Sequence, residues 1–219
     1  MTFCLNSIII KPEKEADINN AVILLHGYGG NGEDISMLSY NWKRHMPNTV
    51  FISPNGHEQC SINPSGYQWF DLTNDNPEYV LEQSFKAEKK IHQFLKEVKE
   101  EFNFDNDKIC LSGFSQGCMM AINVGLTLEK NFNCIVGFSG KIINPDDLKI
   151  RKRNSTNILL IHGDKDDIVS PTHLLEAKDF LLRERVSVDT DLIKNCENKI
   201  PIQASSIALE YILKKLNSR

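Results

Sequence analysis

Five short apolar runs, at residues 21–25, 49–53, 108–113, 133–140 and 157–163, recur along the chain with helix-like stretches between them. They are rich in β-branched residues, and most stop at a glycine or proline. A strand that is apolar at nearly every position is buried on both faces, as in a parallel sheet. Strands alternating with helices predict an α/β architecture, a mostly parallel central sheet with helices on both faces. Segments near 7–11 and 186–193 alternate apolar with polar and read as edge strands.

The helical stretches carry their own signals. One starts at Pro77, with Asn76 as N-cap and proline at the first helical position. Its apolar residues Val80, Ala87, Ile91, Leu95, Val98 and Phe102 recur at helical spacing. A second helix follows Ser115 directly, a third follows the cap-then-proline pair Ser170-Pro171, and a fourth covers about 203–216. Residues 56–76 form a long polar and aromatic loop, of a length that is often functional inside a compact domain. The 219 residues suit one domain spanning 1–219.

Composition excludes several classes. A formal net charge of -4 gives no electrostatic reason to bind nucleic acid. No window of about 18 apolar residues exists, so no integral membrane association is expected. The N-terminal stretch lacks a basic region and a long apolar core, so no signal peptide is expected. Six scattered cysteines form no CxxC pair and no metal-ligand cluster, which fits reduced thiols and a cytoplasmic location. No metal and no cofactor are expected.

The sharpest local signal is Gly113-Phe114-Ser115-Gln116-Gly117, which ends one apolar run and opens a helix. A G-x-S-x-G strand-to-helix turn exposes a serine on a strained backbone. Glycines flank it because side chains there would strike the adjoining strand and helix. The helix N-terminus favours negative charge developing beside the serine.

A second signal is His26-Gly27-Tyr28-Gly29-Gly30-Asn31-Gly32 at the end of the most apolar run. Such a loop approaches a substrate closely and can aim its amides at an oxyanion. A phosphate cradle is the rival, but the chain has neither a Gly-Lys-Ser/Thr ending nor GxGxxG here. His26 reads as a packed, hydrogen-bonded residue. The third signal is the acidic run after His162-Gly163, which is either a solvated turn or a carboxylate that orients an imidazole.

In this order the blocks resemble the acyl-protein thioesterase, carboxylesterase and phospholipase branch of the α/β-hydrolases, from about residue 21 to the C-terminus. The matching residues are His26-Gly27-Tyr28-Gly29, Gly113–Phe114-Ser115-Gln116-Gly117, Trp69-Phe70-Asp71, and His162-Gly163 with Asp166 and Val169. The resemblance implies an α/β-hydrolase fold with no large cap domain. It implies Ser115 as nucleophile and Asp166 as triad acid, with Asp167 its alternative. The backbone amides of Tyr28 and Gln116 would form the oxyanion hole. Trp69 would wall the substrate pocket, although a lone aromatic there could equally be core. The substrate would be a small acyl ester or an acylated molecule, cleaved through an acyl-enzyme.

One element of the pattern is missing. The family carries its histidine just before the C-terminal helix, and there this chain reads Cys196-Glu197-Asn198-Lys199-Ile200-Pro201. Asn198 falls at the histidine position, and no histidine follows His173. An amide can hydrogen-bond a serine but cannot take its proton near neutral pH. The chain is therefore expected to be an impaired esterase or thioesterase, or a homologue that binds acyl ligands without turnover. His173 and His57 are the histidines left to weigh as substitute bases, whereas His45 and His92 read as surface positions.

Overall fold

The computed structural model describes residues 3–12 and 18–217. Residues 1–2 and 13–17, part of the stretch read above for a leader, lie outside the described residues, as do 218–219. In chain order the elements begin with β1 (Ser7–Ile10), β2 (Asn20–Leu25), α1 (Gly32–Trp42) and β3 (Thr49–Pro54). A small hairpin follows, β4 (Glu58–Gln59) and β5 (Tyr67–Gln68), then α2 (Pro77–Phe102), β6 (Ile109–Phe114) and α3 (Gln116–Thr127). The rest is β7 (Cys134–Phe138), α4 (Pro145–Arg151), β8 (Ile158–Gly163), α5 (Thr172–Arg183), β9 (Val188–Ile193) and α6 (Ile202–Asn217).

The main sheet runs β1-β3-β2-β6-β7-β8-β9. Within this sheet, among the described residues, only the β1–β3 pair is antiparallel. β1 and β9 are the edges, as their alternating patterns predict. The central strands are apolar throughout because both faces are covered. Side chains alternate across a strand, so Ala21, Ile23 and Leu25 of β2 enter one core and Val22 and Leu24 the other. The first core is closed by α2, α3 and α5 through residues such as Ile91, Met120 and Phe180. The second is closed by α1 and α6 through Ile35, Leu38, Trp42, Ala204, Ala208 and Ile212.

Asn76 caps α2 as its sequence predicts, accepting from the amides of Glu78 and Tyr79. Three readings change. Helices α1 and α4 were not anticipated. Helix α5 is entered by Pro171 itself, so proline holds the cap position and the first helical residue is Thr172. The segment read as one long loop contains the β4–β5 hairpin, paired Glu58 to Gln68 and Gln59 to Tyr67. That hairpin carries Trp69 and Phe70 back against the carboxyl end of the sheet, where the site lies.

Candidate active site

Ser115 sits between β6 and α3 with φ 50° and ψ -114°, a left-handed conformation that a residue with a side chain rarely adopts. Such backbone strain costs about 1–3 kcal/mol and persists only where the surroundings enforce it. Here its amide donates to the Phe138 carbonyl at 2.8 Å, and its carbonyl accepts from Met119 at 3.1 Å in the first turn of α3. The flanking glycines are sterically compulsory. A Cβ on Gly113 would lie 2.2 Å from the Gly117 carbonyl oxygen, and one on Gly117 would lie 2.1 Å from that of Leu25. Gln116 is the first residue of α3, where backbone N–H groups have no partner within the helix.

The glycine loop after β2 faces this turn. A Cβ on Gly27 would lie 3.4 Å from the Ser115 Cβ, so the two backbones are close neighbours. His26 pins the loop. Its Nε2 accepts from the Gly56 amide at 2.8 Å, so the ring proton belongs on Nδ1, which donates to the Gly27 carbonyl at 2.7 Å. Burial lowers the imidazole pKa to about 4, and the ring is neutral. This is the packed, hydrogen-bonded histidine read from the sequence.

Trp69 belongs to the same assembly. It is fully buried, its indole stacks on His26 at 5.1 Å between centroids, and its Nε1 donates to the His26 carbonyl at 2.9 Å. The Gln116 side chain clamps this strand end to the turn. Its Oε1 accepts from the Trp69 amide at 2.8 Å, and its Nε2 donates to the Phe70 carbonyl at 2.6 Å. Trp69 is thus a core residue, the alternative left open above, and Phe70 and Leu72 line the cavity in its stead. Sequence reasoning missed the Gln116 side chain, because a clamp between residues so far apart in the chain leaves no local signal.

The acidic loop after β8 places Asp166 inside and Asp167 outside. Asp166 Oδ1 accepts from the amides of Ile168 at 3.1 Å and Val169 at 2.8 Å. Its Oδ2 accepts from Asn198 Nδ2 at 2.7 Å. His162 backs the carboxylate, its Nε2 lying 2.8 Å from the Val169 carbonyl and 3.3 Å from Asp166 Oδ2. A carbonyl only accepts, so Nε2 carries a proton. The loop holding Asn198 is stitched to the acidic loop by the Lys165 amide on the Cys196 carbonyl and the Cys196 amide on Asp164.

A cavity of about 580 Å³ opens over Ser115. Its lining includes Tyr28, Asn198, His173, Phe70, Leu72 and Met119. Ser115, Tyr28 and Asn198 therefore converge on one space, with Asp166 behind Asn198. His173 also lines the cavity, with its Nδ1 bound to Glu176 at 2.7 Å. His57 does not line this cavity. It lies 3.4 Å from Glu58, and burial lowers its pKa. His92 is half-buried beside Glu88, 3.9 Å away, and not a free surface residue. Among the described residues no group of three or more histidine, cysteine or carboxylate side chains could hold a metal ion, and no helix is long and apolar enough to cross a membrane.

Residues 6–215 match the family model described as Phospholipase/Carboxylesterase. The chain belongs to that family. Its fold is the α/β-hydrolase fold, and it is related to hydrolases of esters and thioesters. The crystal structure of esterase PE8 superposes with a TM-score of 0.91 at 30% identity, covering 96% of this chain and 98% of PE8. Esterase YpfH of Escherichia coli is 24% identical over 212 residues, 94% of this chain and 86% of the relative. Acyl-protein thioesterase 1 of Saccharomyces cerevisiae is 29% identical over 171 residues, 73% of this chain and 75% of the relative.

Proposed function

We propose that this chain binds carboxylic esters or acyl thioesters in the Ser115 cavity and turns them over slowly, because Asn198 stands in the place of the catalytic base. The observation that carries this reading is the 2.7 Å hydrogen bond from Asn198 Nδ2 to Asp166 Oδ2. In a serine–histidine–carboxylate triad the imidazole makes that bond, and its other nitrogen takes the serine proton. The amide keeps the bond and loses the basicity.

The remaining chemistry is of the acyl-transfer kind. Ser115 Oγ attacks the substrate carbonyl, and the oxygen that becomes negative accepts from the amides of Tyr28 and Gln116. The alcohol or thiol leaves, and water releases the acyl group from Ser115. Without a protein base the serine proton passes to water, which also protonates the leaving group, and this slow exchange limits the first step. Loss of a triad histidine costs on the order of a million-fold in kcat. The oxyanion donors and substrate binding leave about 10³–10⁴ over water. Binding without measurable turnover is the second reading, favoured by the same neutral amide. The free thiols of the six cysteines support a reducing, cytoplasmic setting.

Labelling tests the assignment. A fluorophosphonate should modify Ser115 orders of magnitude faster in Asn198→His than in the parent chain, and the double variant with Ser115→Ala should not react. Equal labelling of Asn198→His and the parent would overturn the placement of Asn198.

A further inference from the structure

The glycine loop that carries Tyr28 is hydrogen-bonded to the β4–β5 hairpin. The Gly29 amide donates to the Tyr67 carbonyl at 2.9 Å, and the Tyr67 amide donates to the Gly30 carbonyl at 2.8 Å. Asn63, in the turn of the hairpin, donates through Nδ2 to the Gly29 carbonyl at 2.7 Å. The Tyr28 hydroxyl lies 3.0 Å from Ser61 Oγ. The approach is tight, since a Cβ on Gly66 would strike the Gly29 carbonyl. The loop itself is a turn closed by the Gly30 amide on the Gly27 carbonyl at 3.0 Å, with Gly29 at φ 75° as its third residue.

Each peptide unit is planar and trans, so its C=O and N–H point in opposite directions. The Gly29–Gly30 unit is therefore held at both ends, its carbonyl by Asn63 and its N–H by the Gly27 carbonyl. The Gly27–Tyr28 unit is held by that same carbonyl, which His26 Nδ1 also reaches at 2.7 Å. Its N–H is the Tyr28 amide, which points the other way. We infer that Asn63 is a positioning residue for the oxyanion site. Its amide fixes the Gly29–Gly30 unit and, through the Gly27 carbonyl, the direction of the Tyr28 N–H. This inference rests on the reading of Ser115 and the Tyr28 amide given above. Asn63 is exposed, so replacing it disturbs no core packing.

Fluorophosphonate labelling of Ser115 tests it, because the phosphoryl oxygen takes up charge where an ester carbonyl oxygen would. Asn63→Ala and Asn63→Asp both remove the donor to Gly29. The second keeps the oxygen that accepts from the Ser65 amide at 3.3 Å. In Asn198→His, and over longer exposure in the parent chain, each should lower the labelling rate at saturating probe by about ten-fold. That is less than the roughly 10²–10³ lost when an oxyanion donor is removed outright. The half-saturating probe concentration should stay within about two-fold, because the tether acts on the transition state and not on ground-state binding. Ile62→Ala, at an exposed position of the same turn, should leave both constants within about two-fold. An unchanged saturating rate in either Asn63 variant would overturn the inference, as would a loss carried by half-saturation alone or an equal loss in Ile62→Ala. Equal labelling of the parent and Asn198→His, with the Asn63 loss present in both, would reject the reading of Asn198 and keep the tether. Faster labelling of Asn198→His with no Asn63 loss would do the reverse. Absence of Ser115 labelling in both chains would overturn the two together.

Discussion

Asn198 donates through Nδ2 to Asp166 Oδ2 at 2.7 Å. Asp166 is buried, and its other oxygen is held by two backbone amides. The carboxylate is thus positioned and satisfied with no imidazole at the Asn198 position, His162 backing it from the other side. An asparagine that met no partner would leave a buried carboxylate short of donors, which costs about 1–3 kcal/mol or more. This asparagine fills the hydrogen-bonding role of the missing residue and leaves only the proton-transfer role vacant.

The Asp166 carboxylate should accordingly matter for folding. Asp166→Ala removes the acceptor for the Ile168, Val169 and Asn198 donors together. A loss of roughly 2–4 kcal/mol is expected in urea denaturation. A change under about 0.5 kcal/mol, the range of an exposed surface site, would contradict the hydrogen-bonding account.

Gly117→Ala tests the tight turn. Its Cβ would come 2.1 Å from the Leu25 carbonyl oxygen, a backbone atom that cannot swing aside. The variant should lose more than about 3 kcal/mol or fail to fold. Gly30→Ala is the control, because its Cβ would meet a backbone oxygen only at 3.3 Å, and it should cost far less.

His26 predicts a pH dependence. Its folded pKa is about 4, below the ordinary histidine value of about 6.5, because burial disfavours the charged ring. The unfolded chain therefore binds the extra proton between those values. The contribution is fully present above about pH 6.5 and is lost as the pH falls toward 4. Stability should drop by about 2 kcal/mol from pH 7 to pH 5 on this account. His26→Gln, which does not titrate, should show a flatter profile over that window, and an unchanged slope would assign the effect elsewhere.

His173 shares the cavity with Ser115, but its Nδ1 is engaged by Glu176, and the side chain that bonds Asp166 is Asn198. His173→Ala should change residual ester hydrolysis by less than about three-fold. A drop of more than ten-fold would make His173 a working base.

Much of this arrangement was legible in the residues, for definite reasons. The central strands stand out because burial on both faces demands unbroken apolar runs. Ser115 stands out because its turn needs glycine on both sides. Helix α4 was missed because seven residues are too few to show a period, although Asn144 and Pro145 carry the cap-and-proline signature. Helix α1 was missed because Ile35, Leu38 and Trp42 are its only large apolar core residues and a glycine-rich loop runs into it. The β4–β5 hairpin has two residues per strand and no pattern to read. Trp69 could not be told from a pocket wall, because its place depends on His26 and Gln116, far away in sequence.

The central claim is that one missing base separates this site from a working esterase. Hydrolysis of p-nitrophenyl butyrate by the parent chain, Asn198→His and Ser115→Ala tests it most directly. Asn198→His should exceed the parent in kcat/KM by at least about a thousand-fold, and the parent should stand close to Ser115→Ala. A parent chain that outpaces Ser115→Ala by several orders of magnitude, with no gain from Asn198→His, would contradict the account.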